Sequence, residues 1–158
     1  MKDSVKKGFS FGLTSGVITT LGMIVGLNSS THSLLAIIGG IVIIALADAL
    51  SDSFGMHMAE EFSNGEDQKK VWEATISTFF FKFIFALTFL IPFLLFSLDT
   101  AIIICIIYGL FLIGIFSYYI GDSQKISKKK TVLEHLFIAI FVIIITHFVG
   151  QLVRTIFY

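Results

Sequence analysis

The chain has 158 residues, is 56% hydrophobic, and carries 11 basic and 11 acidic side chains. Its mean hydropathy of +0.93 sets it apart from soluble domains, which are about 45–50% apolar, and its zero formal charge leaves no electrostatic footprint for nucleic acid. The lone cysteine, Cys105, excludes an intrachain disulfide, and Gly-rich phosphate loops, HExxH, CxxC pairs and GxSxG are all absent from the sequence, so no soluble-enzyme motif competes.

Apolar runs long enough to cross a hydrocarbon core of about 30 Å, which takes about 20 residues, recur along the whole length. They predict an all-α integral membrane protein: a single membrane domain over residues 1–158, with spans at about 9–27, 34–59, 72–98, 100–121 and 132–157.

The first span follows Lys2, Lys6 and Lys7. It is read as a span rather than a signal peptide, because the run is long for an h-region and holds Thr14, Ser15, Gly16, Thr19 and Thr20. Residues three and four apart share a helix face, which groups Ser15, Thr19 and Met23 with Gly12, Gly16 and Gly26. Ser15 and Thr19 are candidates to complete a cation shell, or to bond back to their own helix. Gly8, Gly12 and Gly16 repeat every four residues, a spacing that lets helices approach closely in lipid. They read as helix-packing residues, with Ile24 facing outward.

A short polar link, Asn28–Ser33, leads to span two, which ends in ALADALSDSFGMHMAEE, Ala45 to Glu61. Carboxylates at bilayer depth cost about 2.5–3.5 kcal/mol each on insertion scales and read as functional. Asp, Met, His and Glu are also ligand types for transition metals. Asp48, Ser51, Asp52 and Met56 form one stripe that continues to Ala59 and Glu60, with His57 pointing nearly the other way. The stripe reads as an ion path in preference to a structural hydrogen-bonding cluster. Glu60, Glu61, Glu66 and Asp67 are expected at the cytosolic surface, where Glu60 and Glu61 would gather incoming cations.

In span three, Lys82 is expected to snorkel to the cytosolic interface, with pairing to Asp52 as the alternative, and Pro92 to kink the helix. Cys105 in span four reads as packing. In span five, Glu134 and His135 stand at the start, and His147, Gln151 and Arg154 lie one turn apart in sequence near the end. His147 and Lys82 are the candidates for a proton relay.

Lysines set orientation. Lys2, Lys6 and Lys7 precede span one, Lys69 and Lys70 follow span two, and Lys125, Lys128, Lys129 and Lys130 follow span four; the opposite side holds only Arg154. The N-terminus is therefore expected in the cytosol and the C-terminus outside, with Trp72, Tyr118, Tyr119 and Tyr158 near span ends and Tyr108 deeper.

On these motifs the chain resembles the vacuolar iron transporter family. Ser15-Gly16-Val17-Ile18-Thr19-Thr20 stands where the first helix of that family reads close to DG-[LIV]-[VIL]-TT. ADALSDSFGMHMAEE is similar to the family's AD-[AG]-x-SM-x-x-G-[ED], with Asp48, Ser51 and Gly55 matching. Thr146-His147 with Gly150 and Leu152 resembles a terminal TYxxGxL. The chain departs at the ligands: the family's first-helix aspartate is Ser15, its second-helix methionine is Asp52, and the acid four positions later is Met56. The acidic metal-binding insert of plant members is missing, since only Phe62–Val71 stands in its place.

The resemblance implies a homodimer with the ion path between the two first helices, and with the glycine spacing it places Gly8, Gly12 and Gly16 at the expected dimer contact through span one. It also implies efflux of divalent metal from the cytosol in exchange for protons. The expected metal ligands are Asp48, Asp52, Met56, Met23, Ser15 and Thr19. Either methionine would favour a softer ion over Mg²⁺ or Ca²⁺; with the resemblance, Fe²⁺ or Mn²⁺ is the expected cargo, with no permanent cofactor. Small size and the missing insert point to a prokaryotic plasma membrane. The alternatives are a carrier of another substrate on the same scaffold, or a non-transporting membrane scaffold.

Overall fold

The computed structural model describes residues 2–64, 67–123 and 126–157; Glu66, Lys125 and Tyr158, which entered the readings above, lie outside the described residues. Six helices follow in chain order: α1 Asp3–Thr31, α2 Leu34–Asn64, α3 Gln68–Thr88, α4 Leu90–Leu95, α5 Leu98–Ser123 and α6 Lys128–Phe157, with no strand among the described residues. Five segments are long and apolar enough to span a membrane, α3 and α4 together forming the third. The expected all-helical membrane architecture is the observed one.

The helix ends differ from the sequence reading for local reasons. α1 absorbs Asn28–Thr31, because Ser30 and Thr31 donate their hydroxyls to the carbonyls of Gly26 and Leu27. It stops only at His32, whose φ of 47° is left-handed and whose N–H bonds to Asn28 O. The third span starts at Gln68, earlier than expected, and ends at Leu95, so Leu98 opens α5 instead of closing it. Pro92 lacks an N–H for the Thr88 carbonyl, and the expected kink is a break at Phe89, whose N–H turns to Ala86 O at 3.2 Å. Cys105 Sγ lies 3.7 Å from Phe89 O, and Tyr108 donates to Thr88 Oγ1 at 3.1 Å.

α1 occupies the centre, touching α2, α3, α5 and α6. Its glycines decide how close those neighbours come. A Cβ on Gly12 would stand 2.6 Å from Thr78 O, and one on Gly8 2.5 Å from Ala74 O. On the other side a Cβ on Gly150 of α6 would meet Gly26 O at 2.4 Å. The Gly8, Gly12 and Gly16 stripe, expected to pack a second copy, is thus filled by α3 of the same chain. Small-residue spacing says that a helix comes close without saying which one. Ile24, expected to face outward, is fully buried.

The core runs from Leu13, Val17 and Leu21 of α1 through Ile37 and Ile41 of α2 to Phe89 and Phe93. Phe9 sits edge-on to Phe81 at 4.6 Å and to Phe116 at 5.3 Å. Outward, α6 exposes Phe137, Phe141, Phe148 and Leu152, the surface of an integral membrane protein in contact with lipid rather than water. The end carrying the N-terminus is tied by ion pairs: Lys2 to Glu73, and Lys7 to Glu60 at 2.9 Å.

Candidate functional site

α1 and α2 run antiparallel in a constant register. Lys7 bonds Glu60, Ser15 bonds Asp52, and Thr19 lies against Asp48. Four residues forward on α1 are matched by four residues back on α2. Because an i to i+4 step keeps nearly the same face, each helix sets its polar side chains along one seam.

The middle of this seam is the candidate site. Ser15 Oγ donates to Asp52 Oδ2 at 2.6 Å. Thr19 Oγ1 lies 3.0 Å from Asp48 Oδ2 and 2.8 Å from the Ser15 carbonyl, with one hydrogen to give. The back-bonding expected as an alternative for Thr19 therefore coexists with the site contact. From α3, Lys82 reaches between the acids. Its Nζ stands 2.5 Å from Asp48 Oδ2, contacts Asp52 Oδ2, and lies 2.9 Å from Ser15 Oγ.

Lys82 corrects the sequence reading. It stands midway along the third span and is 1% exposed, so it does not snorkel; pairing with Asp52, the alternative, is observed and Asp48 joins it. Two causes act together. The third span begins earlier than expected, which puts Lys82 deeper, and Gly16 leaves room for its stem. A Cβ on Gly16 would meet Lys82 Cγ at 3.2 Å.

The acids are more open than the lysine. The side chains of Asp48 and Asp52 are 27% and 23% exposed on the outer side of the α1–α2 seam. Met23, one turn beyond Thr19, packs its sulfur over Gly40 and lines a cavity of 490 Å³ with Ile43, Ile44, Ala47 and Asp48. Met56, one turn from Asp52 toward Glu60, is partly buried. The structure thus gathers Ser15, Thr19, Asp48 and Asp52, with Met23 and Met56 flanking them on either side. Among the described residues, no three His, Cys, Asp or Glu side chains converge to hold a metal by themselves.

The remaining candidates lie elsewhere. Glu60 is not a free surface acid: it is 5% exposed and bonded to Lys7, beside a 450 Å³ cavity lined also by Lys2, Lys70 and Glu73. Glu61 is exposed, 3.5 Å from His57 Nε2. Ser51 is exposed. His147 bonds Ser29 at 2.7 Å and Gln151 at 3.1 Å. Ser29 is 14 residues along α1 from Ser15, the partner of Lys82, about 21 Å at 1.5 Å per residue, so the two relay candidates stand at separate places. Thr20 is fully buried and its Oγ1 has no hydrogen-bond partner among the described residues. Asp67 caps α3, accepting from the Lys70 N–H at 3.4 Å, and the Lys70 side chain holds its carboxyl below the usual range.

Five spans and an acid pair at mid-depth, bridged by a lysine, define a polytopic helical membrane protein built around charged groups that lipid alone would not tolerate. A family model described as the VIT family matches residues 51–151, more than half of the chain. The chain belongs to the VIT family, the vacuolar iron transporters, a family of membrane metal-ion transporters. The match takes in Asp52, Met56, Lys82 and His147, and begins beyond α1 and Asp48. No curated protein and no solved structure matches the chain.

Proposed function

We propose that the protein exports a divalent transition metal, Fe²⁺ or Mn²⁺, from the cytosol in exchange for protons, through the seam of Ser15, Thr19, Asp48 and Asp52. The observation that carries this reading is the pair of partly open carboxylates at mid-span, each set against an α1 hydroxyl. Carboxylates take metal only when deprotonated, so metal and proton compete for the same oxygens. Met23, beside Asp48 in its cavity, favours a softer cation over Mg²⁺ or Ca²⁺.

A homodimer completes the reading. Charged side chains left open at bilayer depth are costly, and a second copy laid over the outer face of α1 and α2 covers them. It also doubles the ligand side chains, of which one chain's seam supplies four, two acids and two hydroxyls, for a metal that prefers an octahedral shell of oxygens. The dimer face is then Phe11, Ser15, Thr19 and Met23, not the glycine stripe. The lysine-rich end faces the cytosol by charge asymmetry, in a membrane we take to be a prokaryotic plasma membrane.

The test is metal-driven proton flux in liposomes, read with a pH-sensitive dye across a panel of divalent metals. Asp52→Asn keeps the shape and removes the charge; it should abolish flux and leave thermal unfolding near the parent's. A rival reading, favoured by the Lys82 contacts, has the acids only bracing α2 against α3. It predicts the reverse: lowered stability with parent-rate flux for every metal, and that result would sink the transport site.

A further inference from the structure

We propose that Lys82 is a built-in counter-cation that sets the metal affinity of the seam, holding the resting site below the strength of a bare acid pair. The inference rests on the transport site proposed above and concerns a residue to which that reading gives no part in binding metal.

The geometry is that of an occupied cation position. Three acceptors, Asp48 Oδ2, Asp52 Oδ2 and Ser15 Oγ, surround the ammonium, matching its three N–H donors. The hydroxyls of Ser15 and Thr19 approach the same two Oδ2 atoms. Neither Oδ1 has a hydrogen-bond partner among the described residues, so each acid keeps one oxygen uncommitted while the other is held by the lysine. With Lys82 in place the acid pair carries one net negative charge instead of two. A divalent cation must either displace the ammonium from both Oδ2 atoms or bind the Oδ1 atoms beside it, against its repulsion. Both routes weaken binding, and weak screening away from bulk water enlarges the effect.

The surroundings fix the lysine in that role. It is 1% exposed, and its stem crosses Gly16, where any Cβ would press on Cγ. Gly8 and Gly12 hold α3 against α1 on the same line. The glycine stripe therefore does more than pack two helices: it delivers a cation to the seam from the closed side, while the acids stay open on the other.

The experiment measures Mn²⁺ binding to the full chain in detergent, by loss of the free-ion paramagnetic resonance signal. The proteins are the parent, Lys82→Gln, Lys82→Arg and Asp52→Asn. Lys82→Gln should bind Mn²⁺ about tenfold tighter or more, Lys82→Arg should stay near the parent, and Asp52→Asn should bind weakest. If Lys82→Gln binds no tighter than the parent while Asp52→Asn loses Mn²⁺, the inference falls and the transport site stands. If Asp52→Asn binds as the parent does, the site itself falls, and the inference with it. Lys82→Met is the second variant should Lys82→Gln not fold. If neither folds while Lys82→Arg does, Lys82 is a structural brace and the inference is overturned.

Discussion

The two sides of α1 answer the same bilayer in opposite ways. Toward α3, Gly8, Gly12 and Gly16 leave no gap, and the backbones nearly touch. Toward the α2 seam, Ser15, Thr19 and Met23 stand partly open, with carboxylates beside them. Both stripes have the same four-residue spacing, so spacing alone does not separate a closed contact from a polar path. Side-chain chemistry does. Glycine offers nothing but proximity, whereas a hydroxyl adds a hydrogen bond to an acid that already holds the Lys82 ammonium.

The strongest way to break this contrast is to fill the closed side. Gly12→Leu should yield no folded protein, because Thr78 O and the Lys82 backbone leave its Cβ no space. Even Gly12→Ala should destabilise by about 1–3 kcal/mol, the usual cost of overpacking, measured by thermal unfolding in detergent. Ser15→Ala, on the open side, should fold normally.

Next comes the open side as a meeting face. In a Cys105→Ala background, Met23→Cys should cross-link two chains in native membranes under mild oxidation, while Ile24→Cys should not, being fully buried. Cross-linking at Ile24 alone would reverse the assignment of faces.

Smaller effects grade the seam itself. Asp48→Asn should lower metal-driven flux less than Asp52→Asn, because Asp52 has Ser15 as a committed donor and Thr19 divides its hydrogen between Asp48 and the Ser15 carbonyl. Thr19→Val should slow flux less again, in the same liposome assay.

The smallest effect lies off the seam. The folded-state pKa of Asp67 is lowered, first by its hydrogen bond with the Lys70 side chain. Its contribution to stability is therefore present above the unfolded value and fades as pH falls through the lowered folded value. Asp67→Asn should flatten that acid limb slightly in a pH series of thermal unfolding, and change nothing at neutral flux.

Much of the seam was legible. Helical period placed Asp48 with Asp52 and Ser15 with Thr19, and the four lie together. Lys82 is legible as a possible partner of Asp52, but a lysine near a span end ordinarily reaches for water; its depth turns on the start of the third span, which lies four residues earlier than the sequence pattern places it. The glycines were recognised as close-packing residues and given the wrong neighbour, since the choice between α3 and a second copy lies in tertiary contacts. The constant α1–α2 register was implicit in Lys7, Ser15 and Thr19 against Glu60, Asp52 and Asp48, and emerges only once two helices are known to lie side by side.

That register also says what stands between the charged levels. Halfway from Lys7–Glu60 to Ser15–Asp52 the matching pair is Phe11 and Met56, an aromatic ring and a thioether. Two turns of helix, about 12 Å, separate the two acidic levels, and the step between them carries no formal charge. On this register the two charged levels share no side chain, and each acts on the other only through a field that weakens with distance.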